Sequence, residues 1–72
     1  MSDDGPHIYR VVEIVGSSHV SIEDAIQAAI GRADTTLRNI RWFEVLEVRG
    51  DVQGGRVAHF QARLKVGFTL ET

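Results

Sequence analysis

Two side chains in this sequence have the chemistry to hold a planar heteroaromatic ligand: Trp42, the only tryptophan, and Gln61. Indole offers a flat, electron-rich surface, and a primary amide carries a donor and an acceptor together. A ring that stacks on an aromatic side chain gains about 1 to 3 kcal/mol, and an amide orients that ring by pairing with its polar edge. Flavins, pterins and nucleobases all meet this description. The alternative role for the tryptophan is packing or a subunit interface, which composition by itself favours.

The residues around Trp42 predict a strand over residues 41–49 with apolar side chains on both faces. Phe43 and Val45 share one face, and Trp42 lies on the other. Only one face of the strand can meet a helix. If Phe43 and Val45 face the helix, Trp42 lies on the outer side of the sheet together with Gln61, unless a β-bulge exchanges the faces.

A strand and a helix are predicted before the tryptophan. Residues 7–15 are rich in β-branched side chains and predict a strand, which Gly16-Ser17-Ser18 is expected to end. Ser21 is the expected helix N-cap, with Asp24 three residues later in a position like that of a capping box. Apolar residues then recur at steps of three and four, so an amphipathic helix is predicted from residue 21 to about residue 38.

Residues 56–70 predict the longest strand, which follows a turn at Gln53-Gly54-Gly55. Seven apolar side chains occupy the even-numbered positions of this strand, so that side must meet the helix. Gln61, His59 and Arg63 then face away from the core. The order strand, helix, strand, strand predicts an α+β fold, in which a three-stranded antiparallel sheet wraps around one amphipathic helix.

Length and composition limit the class of protein. Seventy-two residues are expected to form a single domain, residues 1–72, with a frayed start at residues 1–6. A core of this size is marginal and there is no cysteine for disulfides or thiolate metal sites, so oligomerisation is expected. The formal net charge is −2 without a basic cluster, which disfavours nucleic-acid binding. No apolar stretch could cross a bilayer and no export pattern is present, which predicts a soluble, cytoplasmic protein.

With these residues in place, the sequence resembles the dodecin family of small flavin-binding proteins, bacterial type, over residues 9–71. The similarity rests on the order and spacing of short motifs taken together: Val15-Gly16-Ser17-Ser18, Ala25-Ile26-Gln27-Ala28-Ala29, Thr36-Leu37-Arg38, Trp42-Phe43-Glu44-Val45, Arg49-Gly50, His59-Phe60-Gln61 and Lys65-Val66-Gly67-Phe68. The resemblance implies a hollow homododecamer in which the sheets of neighbouring protomers form paired flavin sites. It implies FMN as the ligand, with riboflavin or lumichrome as alternatives.

The resemblance also implies roles for single residues. Trp42 falls on the family's stacking tryptophan, and Gln61 falls on the glutamine that hydrogen-bonds the pyrimidine edge of the flavin. Arg49 falls on an arginine common in bacterial members, near the ribityl or phosphate end of the ligand; a salt bridge with Glu47 or a neighbouring subunit is its alternative role. Thr69 occupies a position that is often basic in bacterial relatives, which puts a phosphate or coenzyme contact there in doubt. Coenzyme A stays open as a further ligand.

The function implied by the resemblance is non-enzymatic flavin storage, buffering and photoprotection. The residues agree, because the chain has no nucleophile–base pair, carboxylate dyad or glycine-rich phosphate loop. Its three histidines are scattered without clustered carboxylates, so no metal site is expected. A small oligomeric module that binds proteins or RNA, and a minor flavin-dependent oxidoreductase, stay open as alternatives.

Overall fold

The chain folds in the predicted order of strand, helix, strand and strand, and the computed structural model describes residues 7–70. The elements are β1 (Tyr9–Ser18), α1 (Ile22–Ala33), β2 (Ile40–Gln53) and β3 (Arg56–Thr69). The strands form one antiparallel sheet in the order β1-β3-β2, so β3 is the central strand. The predicted fold class is confirmed. The prediction of a frayed start at residues 1–6 lies outside the described residues.

Helix α1 begins where the sequence predicts. Ser21 has an extended backbone, and its hydroxyl accepts a hydrogen bond from the amide of Asp24 at 2.9 Å. This bond satisfies one of the N–H groups that have no partner in the first turn. The hydroxyl of Ser18 donates to the carboxylate of Asp24 at 2.7 Å, so the same aspartate ties the end of β1 to the start of the helix.

The predicted helix end near residue 38 is wrong, because α1 ends at Ala33. Two threonine hydroxyls donate back to carbonyls of the last turn, Thr35 to Arg32 at 2.7 Å and Thr36 to Ala33 at 3.3 Å. Hydroxyl side chains that bond to nearby backbone groups offer the chain an alternative to further helix. The helix therefore ends although the apolar spacing continues beyond it.

The first strand is longer than predicted, because Gly16, Ser17 and Ser18 continue β1 instead of ending it. Gly16 pairs with Ala62 of β3, on the side of the sheet that faces α1. A Cβ atom added to Gly16 would lie under 3.0 Å from the carbonyl oxygen of Ala25. The glycine is needed where the helix backbone lies directly on the strand, and it does not mark a turn.

The core lies between α1 and the central strand. Ala62, Leu64 and Val66 are fully buried on the helix side of β3, as their even-numbered alternation predicts. Ala25 and Ala29 from the helix stripe complete the buried cluster. Their short side chains allow the helix to lie close to the sheet. Partly buried side chains surround this cluster, namely Val12, Ile14, Ile26, Ile30 and Ile40.

The helix leaves most of β2 uncovered, although Ile40 packs against the core, and this corrects one prediction for the strand. Phe43 and Val45 pair with Val66 and Leu64, so they lie on the helix side of the sheet as expected. However, α1 packs against β1 and β3, and Phe43 and Val45 remain 48% and 40% exposed. The face predicted for these residues is correct, but their assignment to the core beneath the helix is wrong for the single chain.

The β2–β3 hairpin makes the molecule elongated. β2 continues past its predicted end at residue 49 and meets a turn in which Gly54 and Gly55 have positive φ angles of 59° and 77°. Two such residues suit a two-residue hairpin turn, which agrees with the predicted turn position. The radius of gyration is 15.2 Å, whereas a compact domain of this length has roughly 11 Å. Much of the sheet therefore extends beyond the part that the helix covers.

Candidate functional site

The side of the sheet away from α1, which we term the outer face, carries all three residues predicted to form the site. Cross-strand pairing places Trp42 opposite Gly67 and Arg49 opposite Gln61. Strict alternation along one strand would place Trp42 and Arg49 on opposite faces. A β-bulge at Leu46 adds one residue to β2 and returns Arg49 to the face of Trp42.

The indole of Trp42 lies flat across the central strand. A Cβ atom added to Gly67 would lie nearly equally close to the indole atoms Cε2, Cζ2 and Cη2, under 3.0 Å from each. Only a point above the face of a ring is that close to three consecutive ring atoms. The indole face therefore covers Gly67, and the missing side chain makes the space that the ring fills. Trp42 is still 41% exposed, so a large part of the residue remains accessible.

Tyr9 closes one side of the indole, although the sequence reasoning did not select it as a site residue. The ring centroids of Tyr9 and Trp42 are 5.1 Å apart at an interplanar angle of 75°, an edge-to-face contact. His7 stacks against Tyr9 in turn, at 6.4 Å and 16°. The alternation of faces along β1 could have identified Tyr9. Val12 and Ile14, at even positions, face the helix, so Tyr9 at an odd position faces away from it.

Tyr9, Trp42 and Gly67 form the aromatic end of the outer face. The positively charged side chain of Arg41 also lies at this end. A second β-bulge, at Arg41, adds one residue to β2 immediately before Trp42. Arg41 Nε donates a hydrogen bond to Thr69 Oγ1 at 3.1 Å. Thr69 is the cross-strand partner of Tyr9 on the outer face. The bulge therefore turns two consecutive residues, a guanidinium and an indole, to the same side of the sheet.

The middle of the outer face holds an arginine between two carboxylates. Arg63 lies 3.0 Å from Glu13 and 3.3 Å from Glu47, measured between guanidinium nitrogens and carboxylate oxygens. The hydrogen bond to Glu13 and then that to Glu47 raise the pKa of Arg63 above its ordinary value, so it stays cationic at physiological pH. All three side chains are about half exposed, and ion pairs at exposed sites contribute little to the stability of the fold. The alternative salt bridge between Glu47 and Arg49 is not among the ion pairs of residues 7–70.

The polar end of the outer face consists of Arg49, Gln61, Asp51 and His59. Arg49 Nε donates to Gln61 Oε1 at 2.8 Å, which fixes the orientation of the amide and leaves its NH₂ group as a donor. Nδ1 of His59 lies 3.7 Å from the carboxylate of Asp51. These four residues line a groove of about 510 Å³ together with Ser17 and Gly50. The groove offers donors and acceptors but little apolar surface.

Trp42 and Gln61 share the outer face but do not lie side by side in one chain. Trp42 is opposite Gly67, which is six positions from Gln61 along β3. At about 3.3 Å per strand residue, this separates the two by roughly 20 Å. The predicted shared face is therefore found, but the two residues lie at different ends of it within one chain. A ligand of two or three fused rings is too short to contact both residues of one chain.

Residues 7–70 contain no group of three or more His, Cys, Asp or Glu side chains that could hold a metal ion. Within that range, α1 has twelve residues, and no helix is long and apolar enough to span a membrane. The aromatic end and the polar groove of the outer face are thus the features that the site residues build.

These features define a small sheet-and-helix protein with a partly exposed tryptophan on the side of its sheet away from the helix. The family model for Dodecin matches residues 8–71. The dodecin of Thermus thermophilus is 50% identical over 64 residues, which cover 89% of this chain and 93% of that protein. The chain therefore belongs to the dodecin family, a family of small flavin-binding proteins.

Solved structures agree with this membership. The dodecin from Streptomyces davaonensis matches with a TM-score of 0.91 and 48% identity, covering 94% of this chain and 100% of that one. The dodecin from Streptomyces coelicolor matches with a TM-score of 0.88 and 50% identity, covering 92% and 94% of the two chains. Both likenesses extend over almost the whole chain, so they include both ends of the outer face.

Proposed function

We propose that this protein is a non-enzymatic flavin-binding protein that stores and buffers FMN, with riboflavin or lumichrome as alternative ligands. The observation that carries the proposal is the indole of Trp42, which is held flat over Gly67 while the residue stays 41% exposed. A ring surface that is already formed in the single chain suits a flat ligand. Membership of a flavin-binding family supports flavin as that ligand.

The proposed contacts divide between the two ends of the outer face. Trp42 stacks on the isoalloxazine, a contact of about 1 to 3 kcal/mol per ring. The pyrimidine edge of a flavin carries two carbonyl acceptors and one N–H donor. Because Arg49 already donates to Gln61 Oε1, the NH₂ of Gln61 donates to a ring carbonyl, and the remaining lone pair of Oε1 accepts from the ring N–H. Arg49 thus orients the amide and lies beside the ligand.

We propose that the site forms in a homododecamer, in which two flavins lie between two tryptophans across a two-fold axis. Such an isologous site needs one copy of each residue per chain. Three observations support assembly: the elongated shape, the separation of Trp42 from Gln61, and the apolar surface that the helix does not cover. That surface includes Phe43, Val45 and Val48, which are 40 to 51% exposed, and a groove of about 600 Å³ between β1 and α1.

Photoprotection is the proposed consequence of stacking. Free flavins are photoreactive, and an electron-rich indole in face contact with the excited ring can donate an electron to it rapidly. The excited state is then lost without emission or further photochemistry. A flavin pair enclosed between two indoles also has both ring faces covered, which opposes its use as an open redox catalyst.

The test is a fluorescence titration of FMN with the purified protein under non-reducing conditions, with the mass of the assembly measured by light scattering. We expect quenching that saturates at one flavin per chain, and an assembly of twelve chains. Protein unfolded in denaturant serves as the control, since it contains the same tryptophan without the sheet. Full FMN emission at saturating folded protein would contradict the proposal.

The same preparation separates the alternatives. Flavin-dependent oxidation of a pyridine nucleotide would indicate the oxidoreductase, and salt-sensitive retention of RNA without flavin quenching would indicate the interaction module. Coenzyme A stays a prediction, which a competition titration against bound FMN would test. Chromatography of the ligand released from protein as purified would decide between FMN, riboflavin and lumichrome.

A further inference from the structure

A guanidinium lies beside the aromatic end of the outer face. The bulge at Arg41 turns this residue to the side of Trp42, and its Nε is held by Thr69 Oγ1 at 3.1 Å. Thr69 pairs with Tyr9, whose ring contacts the indole at a centroid distance of 5.1 Å. Arg41 therefore belongs to the same cluster of side chains as the ring-binding surface.

Arg41 and Arg49 have neutral partners, unlike Arg63, and the two differ in position, because Arg41 lies at the aromatic end and Arg49 at the polar end. Arg63 is bound to two carboxylates, and Arg49 is bound to the amide of Gln61. The partner of Arg41 is a neutral hydroxyl, and none of the ion pairs within residues 7–70 includes it. The hydrogen bond holds the side chain in place at Nε, while the terminal nitrogens keep their donors, and no carboxylate within residues 7–70 forms an ion pair with the guanidinium.

We infer that Arg41 forms an anion subsite at the edge of the ring-binding surface, which takes the phosphate of a flavin whose ring stacks on Trp42. This inference rests on the proposed function and names the feature that selects FMN over riboflavin. Thr69 is a positioning residue in this subsite, because its hydroxyl fixes the guanidinium without itself carrying charge.

The chemistry of the two groups matches. A guanidinium presents a planar fork of donors that pairs with two phosphate oxygens at once. A phosphate monoester carries a charge of about −1.5 to −2 at neutral pH, whereas riboflavin and lumichrome have no phosphate. Arg41 therefore adds affinity for FMN alone. Arg49 acts through Gln61 on the ring edge, which all of these flavins share, so the two arginines have separable effects.

The experiment compares FMN and riboflavin dissociation constants for the assembled protein and its Arg41→Met variant at low ionic strength. We expect FMN binding to weaken about three- to tenfold, since a charge-assisted contact is lost at a solvent-accessible site. Riboflavin binding should change less than about twofold. Arg56→Met, at the start of β3 beside the hairpin turn, removes the same charge far from the aromatic end and should leave the ratio of the two constants unchanged.

Two further variants test the geometry. Thr69→Val removes the hydroxyl that holds the guanidinium, and we expect FMN binding to weaken about two- to threefold without a change for riboflavin. Arg41→Lys keeps the charge but loses the planar fork, so it should retain part of the preference for FMN. If Arg41→Met fails to assemble, the FMN-to-riboflavin ratio of these two variants decides the question.

The outcomes separate the subsite from the proposed function. If Arg41→Met weakens FMN and riboflavin equally, or neither, there is no phosphate contact at Arg41 and the inference is overturned while flavin binding stands. If the unmodified protein binds neither flavin, the proposed function fails and the subsite fails with it. In support of the subsite, added salt should reduce the preference for FMN in the unmodified protein and leave Arg41→Met unaffected.

Discussion

The two ends of the outer face are built by different means. At the aromatic end, the indole of Trp42 rests on the backbone at Gly67 and is braced by Tyr9, so packing determines its plane. At the polar end, Gln61 is held by one hydrogen bond from Arg49, an exposed contact. Packing against backbone leaves a side chain few alternatives, whereas an exposed hydrogen bond competes with water.

Under the proposed function, this difference predicts how flavin binding is divided between the two ends. A ring surface that is already in place gives affinity without an ordering cost at the moment of binding. An amide whose direction is set by a neighbour gives orientation and discrimination, since it rewards one pattern of donors and acceptors on the ligand edge. We therefore expect substitutions at the aromatic end to lower affinity strongly, and those at the polar end to alter selectivity more than affinity.

Trp42→Ala should have the largest effect and weaken FMN binding about 10- to 100-fold, because stacking on the ring is lost. The assembly should keep its size, as measured by light scattering, and titration of FMN fluorescence gives the affinity. Trp42→Phe keeps a smaller ring, so its affinity for FMN should lie between those of the unmodified protein and Trp42→Ala. Dissociation of the assembly by Trp42→Ala would instead make the tryptophan an interface residue, and the comparison between the two ends would fail.

Gly67→Ala should follow, with FMN binding about tenfold weaker although no ligand-contacting side chain is changed. The added methyl group would occupy the space of the indole ring and force Trp42 out of its plane. Near-ultraviolet circular dichroism of the ligand-free protein should change as well. Gly31→Ala makes the same substitution where nothing lies within 4 Å, and should leave both signals as they are; unaltered binding in Gly67→Ala would show that backbone contact does not set the indole plane.

Gln61→Ala should weaken FMN binding about fivefold, the effect of losing hydrogen bonds at a partly exposed site. Discrimination between flavins that differ at the pyrimidine edge should be lost, because the other residues of the polar end, Arg49, Asp51 and His59, have no amide side chain. Comparing FMN with an analogue methylated at the ring N–H measures this directly. A loss as large as that of Trp42→Ala, or unchanged discrimination, would remove the proposed division between affinity and selectivity.

Arg49→Met should have the smallest effect, about two- to threefold, and it should be equal for FMN and riboflavin. The reason is that Arg49 acts on the shared ring edge through the amide of Gln61. In the background of Gln61→Ala the same substitution should have no further effect, which a double-mutant cycle of FMN affinities measures. A selective loss of FMN binding in Arg49→Met would place the phosphate at the polar end instead.

Local patterns predicted the elements and most of their faces. The Ser21 cap and the alternation of residues 56–70 are short-range signals, and both are found as predicted. The outward direction of Trp42 followed from assigning Phe43 to the opposite face, and the pairing of Phe43 with Val66 agrees. These predictions succeed because side-chain direction within a helix or strand depends on a fixed period.

The errors arose where a contact between distant segments overrides the local signal. Gly16 resembles a turn residue, but it is a strand residue where the backbone of α1 approaches within contact. Phe43 has the right face for the core, but the position of the helix over β1 and β3 leaves it uncovered. The residues of one strand do not determine where a helix crosses the sheet or how closely the helix approaches it.

By itself, the sequence predicted that Trp42 would face away from the core, provided that Phe43 and Val45 face the helix, and that Gln61 would share its side of the sheet. Tertiary structure decided the rest of the site. The bulges at Arg41 and Leu46 depend on pairing with β3, and they bring two arginines to the face of Trp42. The flat position of the indole depends on Gly67, 25 residues further along the chain, and on Tyr9 from the other edge strand. The period of a strand determines the face to which each side chain points. Which side chains contact one another depends on how the strands pair and in which register.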